Sequence, residues 1–355
     1  MKRAYVAVAA TVGLFVLVQV GALALVEPFM DAGYRTVEDP SNPANSLLYI
    51  GAILVATVVM LGAIRLGVDG ILQGLVVFAA VFLAFYVFSV VVPPVLMVAG
   101  LNVPAVAAAL ALGGGLLFYP EWYVIDAAGI VMGAGAAGLF GISFGLVPAL
   151  LLLTVLAVYD AVSVYGTEHM LALASGAMDL RLPVVFVIPL TLSYSFLDAT
   201  TPAALEDDEG ATDDGAADDG AADNEGEPPE GGATEGTDPG GTDPDEEAED
   251  PFARDAFFIG LGDAVIPTVL VASAAFFRPG DTALLGVPRI ALTVPALGAM
   301  TGTLVGLLAL MWMVMQGRAH AGLPLLNGGA IGGYLVGAVV AGVALVEAVG
   351  LAPYL

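Results

Sequence analysis

Two aspartates stand in stretches of chain that otherwise leave no place for charge. Asp160 lies in LAVYDAVSVYG (156–166) and Asp263 in FFIGLGDAVIP (257–267). A carboxylate at the depth of a membrane costs about 2.5–3.5 kcal/mol on insertion scales, so such residues are kept for a purpose. Two of them side by side cannot both ionise cheaply, and the pair shares a proton and titrates as a unit. One carboxylate then takes a proton from water while the other gives one to a carbonyl oxygen. That is the acid/base division by which an aspartic protease hydrolyses a peptide bond without a covalent intermediate. The alternative chemistry for such a pair is a relay in a proton- or cation-coupled transporter.

The elements that must position these residues are membrane helices. Of the 355 residues 59% are hydrophobic, mean hydropathy is +0.92, and apolar runs recur at the length of about twenty residues that spans a bilayer. The pattern predicts an all-α polytopic membrane protein with nine spans: Ala4–Val26, Leu47–Leu66, Ile71–Val92, Val95–Phe118, Tyr123–Ile142, Phe144–Tyr165, Ala256–Phe277, Ile290–Met315 and Pro324–Val346. The first run is too long for a signal-peptide core of about 7–15 residues and reads as a retained helix. Asp160 then falls about six residues before the end of helix six, and Asp263 about seven residues into helix seven. On antiparallel neighbours this puts both roughly 9–11 Å below the same surface, at 1.5 Å per residue.

Between these helices the composition changes. LPVVFVIPLTLSYSFL (182–197) is too short and too interrupted by proline to span, and its β-branched core Val184–Ile188 reads as a short strand, paired with residues just before Ala256. Of the 35 acidic residues 20 fall between Glu206 and Asp250, with no Lys or Arg among them. That Gly-, Ala- and Pro-rich stretch cannot bury enough surface to offset its ordering entropy and is expected to be a disordered linker. The organisation that follows is helices one to six in residues 1–181, a loop region in 182–255 with the acidic linker at 206–250, and helices seven to nine in 256–355. Basic flanks orient the chain: Lys2, Arg3, Arg65, Arg181, Arg254 and Arg318 fall on one side, and Arg35, Arg278 and Arg289 on the other. The positive-inside rule puts the N-terminus and the acidic loop in the cytoplasm and the C-terminus outside.

Tyr159-Asp160, Gly260-Leu261-Gly262-Asp263 and Ala321-Gly322-Leu323-Pro324, in that order and on helices six, seven and nine, resemble the YD, GxGD and PAL motifs of the presenilin and signal-peptide-peptidase family. Ala321 stands where the family's last motif usually begins with proline. The nine-helix plan and the long loop between helices six and seven extend the resemblance over nearly the whole chain. It implies a presenilin-like bundle and an intramembrane aspartic endopeptidase, with Asp160 and Asp263 catalytic. Tyr159, Gly260, Leu261, Gly262, Gly322, Leu323 and Pro324 would bind substrate or shape the site. The substrates implied are transmembrane segments of other proteins, met within the bilayer, with no cofactor and no nucleic acid. In presenilins a strand between helices six and seven pairs with substrate, which points to Val184–Ile188. The acid-rich balance of the chain, 35 acids to 9 bases, resembles that of proteins from salt-loving archaea.

The remaining residues have plainer readings. Gly260 and Gly262 remove side chains beside Asp263 and let backbone approach closely. The backbone around Pro324 offers unpaired N–H groups to an extended substrate. Gly328 and Gly332, and Gly329, Gly333 and Gly337, form small-residue rows suited to close helix packing. Asp126, beside Glu121 and Trp122, reads as reaching the interface, as does Glu347 at the outer end of helix nine. His169 and His320 lack metal-ligand spacing. The chain has no Cys, which excludes a thiol nucleophile and zinc–thiolate sites, and no HExxH motif.

Overall fold

The computed structural model describes residues 2–37, 39–66, 69–166, 185–190, 194–195, 256–278, 281–282, 284–287, 289–316 and 321–351. The acidic stretch 206–250 and both histidines lie outside this set. The described residues form nine long helices: α1 (Lys2–Asp31), α2 (Ala44–Arg65), α3 (Asp69–Val91), α4 (Val103–Phe118), α5 (Trp122–Ser143), α6 (Leu146–Gly166), α7 (Leu261–Phe277), α8 (Val294–Val314) and α9 (Gly322–Val340). A single-turn helix, α10 (Leu345–Ala348), follows. Seven of the nine are long and apolar enough to cross a membrane, while α4 and α7 are apolar but shorter. The chain is a multi-pass membrane protein of all-α class.

Packing separates a lipid face from a protein core. On α2, Leu47, Leu48, Val55, Val58 and Val59 are all exposed, a surface that water would not tolerate and a bilayer covers. By contrast α5 and α7 are central. The glycines of α5 let neighbours come close: a Cβ at Gly141 would overlap Ala272 of α7, and one at Gly135 would lie 2.5 Å from the Val87 side chain of α3. The α8–α9 pair meets backbone to backbone, with Gly298, Gly302 and Gly306 against Gly333, Gly329 and Leu325. Of the two small-residue rows on α9, the 329/333/337 row makes this contact, and Gly328 and Gly332 face open space.

Several boundaries differ from the sequence expectation, each for a local reason. Before α4 the chain forms a hairpin, β1 (Met97–Val98) with β2 (Leu101–Asn102). Its turn residues Ala99 and Gly100 both have positive φ, 50° and 81°, as a type I′ turn requires. α8 starts at Val294 because Thr293 caps it, its hydroxyl accepting from the Ala296 N–H at 3.3 Å. α9 ends at Val340, so Glu347 sits exposed on α10 rather than at the end of the ninth helix.

The largest correction concerns helix seven, which begins at Leu261 rather than Ala256. Residues before it form β4 (Ala256–Gly260), antiparallel to β3 (Val185–Pro189), with Val185 opposite Gly260 and Pro189 opposite Ala256. Phe186, Val187 and Ile188 are fully or almost fully buried. Phe186 and Ile188 pack with Phe15 and Val18 of α1 and Leu307 of α8. Val187 points the other way, among Val77, Leu116 and Ile125. This small sheet is wedged into the same end of the bundle as the start of α5, the end of α6 and the start of α7.

Candidate active site

Asp160 sits on the last turns of α6 and is only 5% exposed. Its carboxylate crosses to the start of α9, where Oδ2 accepts the Leu323 N–H at 3.0 Å, and the Gly322 N–H faces the same group. The first turn of any helix has N–H groups with no partner inside the helix. Ala321, at the N-cap of α9, has no side chain able to take them, so Asp160 caps α9 from another helix. This corrects the expectation that the N–H groups beside Pro324 are open to substrate. Pro324 is the third residue of α9, where its missing N–H costs nothing.

Asp263 is the third residue of α7, not the eighth of a longer helix, and it is partly buried. Space for it is made by glycine. A Cβ at Gly260 would lie 3.3 Å from Asp263 Oδ2, and one at Gly322 would lie 3.4 Å from Oδ2 and 3.5 Å from Oδ1. Gly322 is therefore the meeting point: its N–H faces Asp160 and its α-carbon faces Asp263. The two carboxylates act on each other as like charges across it.

The other residues divide into those the structure brings to this point and those it does not. Leu323 supplies the N–H, and its side chain packs against the main core. Leu261 reaches α5, its Cδ1 3.3 Å from where a Gly133 Cβ would stand. Gly262 is exposed, and beyond its chain neighbours and the helix backbone a Cβ there would meet only Ile266 Cδ1, at 3.9 Å. Tyr159 is 41% exposed on the outer side of α6, beside Val158 and Val162, which are also exposed. Among the described residues no cluster of His, Asp or Glu could hold a metal ion.

Asp126 departs furthest from its sequence reading. It is 8% exposed, not interfacial, and its Oδ1 accepts the Val187 N–H of β3 at 2.8 Å. Nearby, Glu121 Oε1 accepts the Ser195 hydroxyl at 2.7 Å. The signal in the sequence was present, an acid inside an apolar run. Its depth is not legible in the sequence because the sheet that covers it is built from distant segments.

Comparison with known proteins agrees with this geometry. The family described as signal-peptide peptidase, presenilin aspartyl protease matches residues 12–343. Among solved structures, a presenilin family intramembrane aspartate protease in the C222 space group is similar, with 30% identity and a TM-score of 0.58, covering 94% of this chain and 99% of that one. Another, in the P2 space group, has 29% identity and a TM-score of 0.57, covering 93% and 97%. No curated protein matches the chain.

Proposed function

The chain belongs to the signal-peptide peptidase and presenilin aspartyl protease family and is an intramembrane aspartic endopeptidase, for which we propose Asp160 and Asp263 as the catalytic pair. The observation that carries this assignment is their convergence on Gly322, one through its N–H and the other across its bare α-carbon. A water held between the carboxylates loses a proton to one as its oxygen bonds to the substrate carbonyl carbon. The other protonates the carbonyl oxygen. The tetrahedral diol then collapses, the C–N bond breaks, and the amine leaves with a proton returned from the pair. Asp160 is held by α9 while it does this, so its oxygens do not have to be reoriented during the reaction.

Substrates are transmembrane segments reached within the bilayer. A peptide bond in a helix is shielded by its own turn, so the segment unwinds before it is cut, and its freed backbone groups need partners. β4 runs directly into Asp263 and is the nearest extended backbone to the carboxylates, which supports it, rather than the outer side of β3, as the strand beside which substrate lies. The outward N–H of Val187 on β3 is already taken by Asp126. The six-to-three asymmetry of basic residues supports a cytoplasmic N-terminus, and with it substrates whose N-termini lie outside. A transport reading of the two aspartates has no observation in its favour.

The test is cleavage of a single-span membrane protein by purified enzyme in liposomes. Asp160→Ala and Asp263→Ala should each reduce it to background, and the double variant should be no worse than either. Residual turnover above background in either single variant would refute the pair. For orientation, Gly220→Cys should react with an impermeant thiol reagent only from the cytoplasmic side, and labelling from outside would reverse the topology.

A further inference from the structure

We propose that Asp126 is a positioning residue for the cleavage reaction: by holding β3 against α5 it fixes the sheet that sets where a substrate lies relative to Asp263. The inference rests on the endopeptidase reading above and concerns a residue outside the catalytic pair.

In an antiparallel pair, each residue turns its N–H and C=O either both toward the partner strand or both away. The Val187 N–H goes to Asp126, so Val187, opposite Phe258, is an outward-facing position. Its neighbours Phe186 and Ile188, opposite Ile259 and Phe257, therefore carry the ladder. Pro189 shares the outward parity of Val187, where a residue without an N–H is tolerated. The sheet thus has one side sealed by α5 through a single carboxylate, and the other strand leads through Gly260 to Asp263.

Asp126 does not act alone. One turn along α5, a Cβ at Gly129 would lie 2.8 Å from the ring of Phe186, so the ring occupies the notch that glycine leaves. In the other direction, at the N-cap of α5, Glu121 holds Ser195. Contacts 121–195, 126–187 and 129–186 run in opposite order along the two segments, so Phe186, Val187 and Ser195 are met in reverse order along this end of α5. Only the middle contact reaches the backbone of the strand itself. In an apolar interior a backbone N–H without a partner costs about 1–3 kcal/mol, so without Asp126 β3 gains by shifting to find another acceptor. A shift of β3 carries β4 with it, and β4 ends on the glycine that abuts the Asp263 carboxylate.

The readout that separates positioning from mere stability is where the substrate is cut. Asp126→Ala should lower kcat/KM about tenfold or more, the order of loss that follows sub-ångström to 1 Å misplacement, and mass spectrometry of products should reveal cuts spread over neighbouring bonds. Asp126→Asn keeps an acceptor oxygen and should restore both rate and a single cut site. Val187→Pro removes the donor at a position outside the ladder and should reproduce the spread, and combined with Asp126→Ala should add nothing further. A wild-type cut site in Asp126→Ala would overturn the proposal. So would failure of Asn to rescue, or a wild-type product pattern in Val187→Pro. These outcomes are scored in active enzyme, so they are separate from loss of the catalytic pair, which would appear as cleavage surviving in Asp263→Ala.

Discussion

Asp160 and Asp263 are held in opposite ways. Asp160 is fixed by donors: the first turn of α9 presents N–H groups that have no partner within the helix, and the carboxylate of α6 takes them. Asp263 is given room: Gly260 on one side and Gly322 on the other leave out the side chains that would crowd it. The first arrangement is a structural bond between helices, and the second is a vacancy in the packing left by glycine. Under the proposed assignment, one aspartate thus joins a helix cap to its chemistry, whereas its partner is placed by the space around it.

The comparison is broken most directly by removing each carboxylate in turn. Both Asp160→Asn and Asp263→Asn should lose at least about 10³-fold in turnover, since members of a catalytic unit fail together. Stability should separate them. Asp160→Ala takes away the cap of α9 and should cost about 0.5–2 kcal/mol, the usual range for a lost N-cap. Asp263→Ala breaks no such cap and should leave unfolding in detergent nearly unchanged. Equal destabilisation by the two alanine variants would erase the distinction between a capping and a non-capping aspartate.

Crowding the vacancy gives the next effect. Gly322→Ala would place a methyl 3.4–3.5 Å from both Asp263 oxygens, an ordinary contact that the fold accepts but that fills the space a water or carbonyl must use. Turnover should fall on the order of 100-fold with the unfolding midpoint kept. Gly260→Ala, with its methyl at 3.3 Å from Oδ2, pushes the carboxylate by a few tenths of an ångström and should cost about tenfold. Single-turnover cleavage and thermal unfolding of the same samples check both. A Gly260→Ala enzyme slower than Gly322→Ala would mean that carboxylate placement, not free space, limits the reaction.

How much of this was legible in the sequence follows the same physical lines. Asp160 and Asp263 stand out because a charge in an apolar run has few innocent explanations. Val184–Ile188 is legible as a strand because β-branched residues between prolines fit little else, and the strand observed is Val185–Pro189. Its partner is not legible: AFFIG (256–260) is apolar and merges with the run of helix seven. A buried strand cannot be told from a buried helix by hydrophobicity alone; pairing with β3 decides the matter. The cap that Asp160 places on α9 was equally hidden, because it joins residues 160 and 323, and only the fold brings them together. Asp126 stands out in the sequence, but its depth does not, since the sheet that buries it comes from residues far along the chain.

The smallest effect should come from Gly262, and it tests whether the glycines of GLGD have one role or two. Gly260 touches the Asp263 carboxylate, whereas Gly262 is exposed, and beyond its chain neighbours and the helix backbone the nearest atom to a Cβ built there is Ile266 Cδ1, at 3.9 Å. It lies in the first turn of α7, where alanine is favoured over glycine by up to about 1 kcal/mol. Gly262→Ala should therefore unfold no more easily than the parent, and slightly less easily if the propensity term is realised. The methyl would project from the turn that carries Asp263 toward the exposed side, so any loss must come through the substrate. Kinetics should place that loss, a few-fold at most, in KM with kcat kept, the reverse of Gly260→Ala, where kcat falls. A Gly262→Ala enzyme that lost kcat as steeply as Gly260→Ala would mean that the open side of α7 closes on the carboxylate during turnover, and that room for Asp263 is made by both glycines.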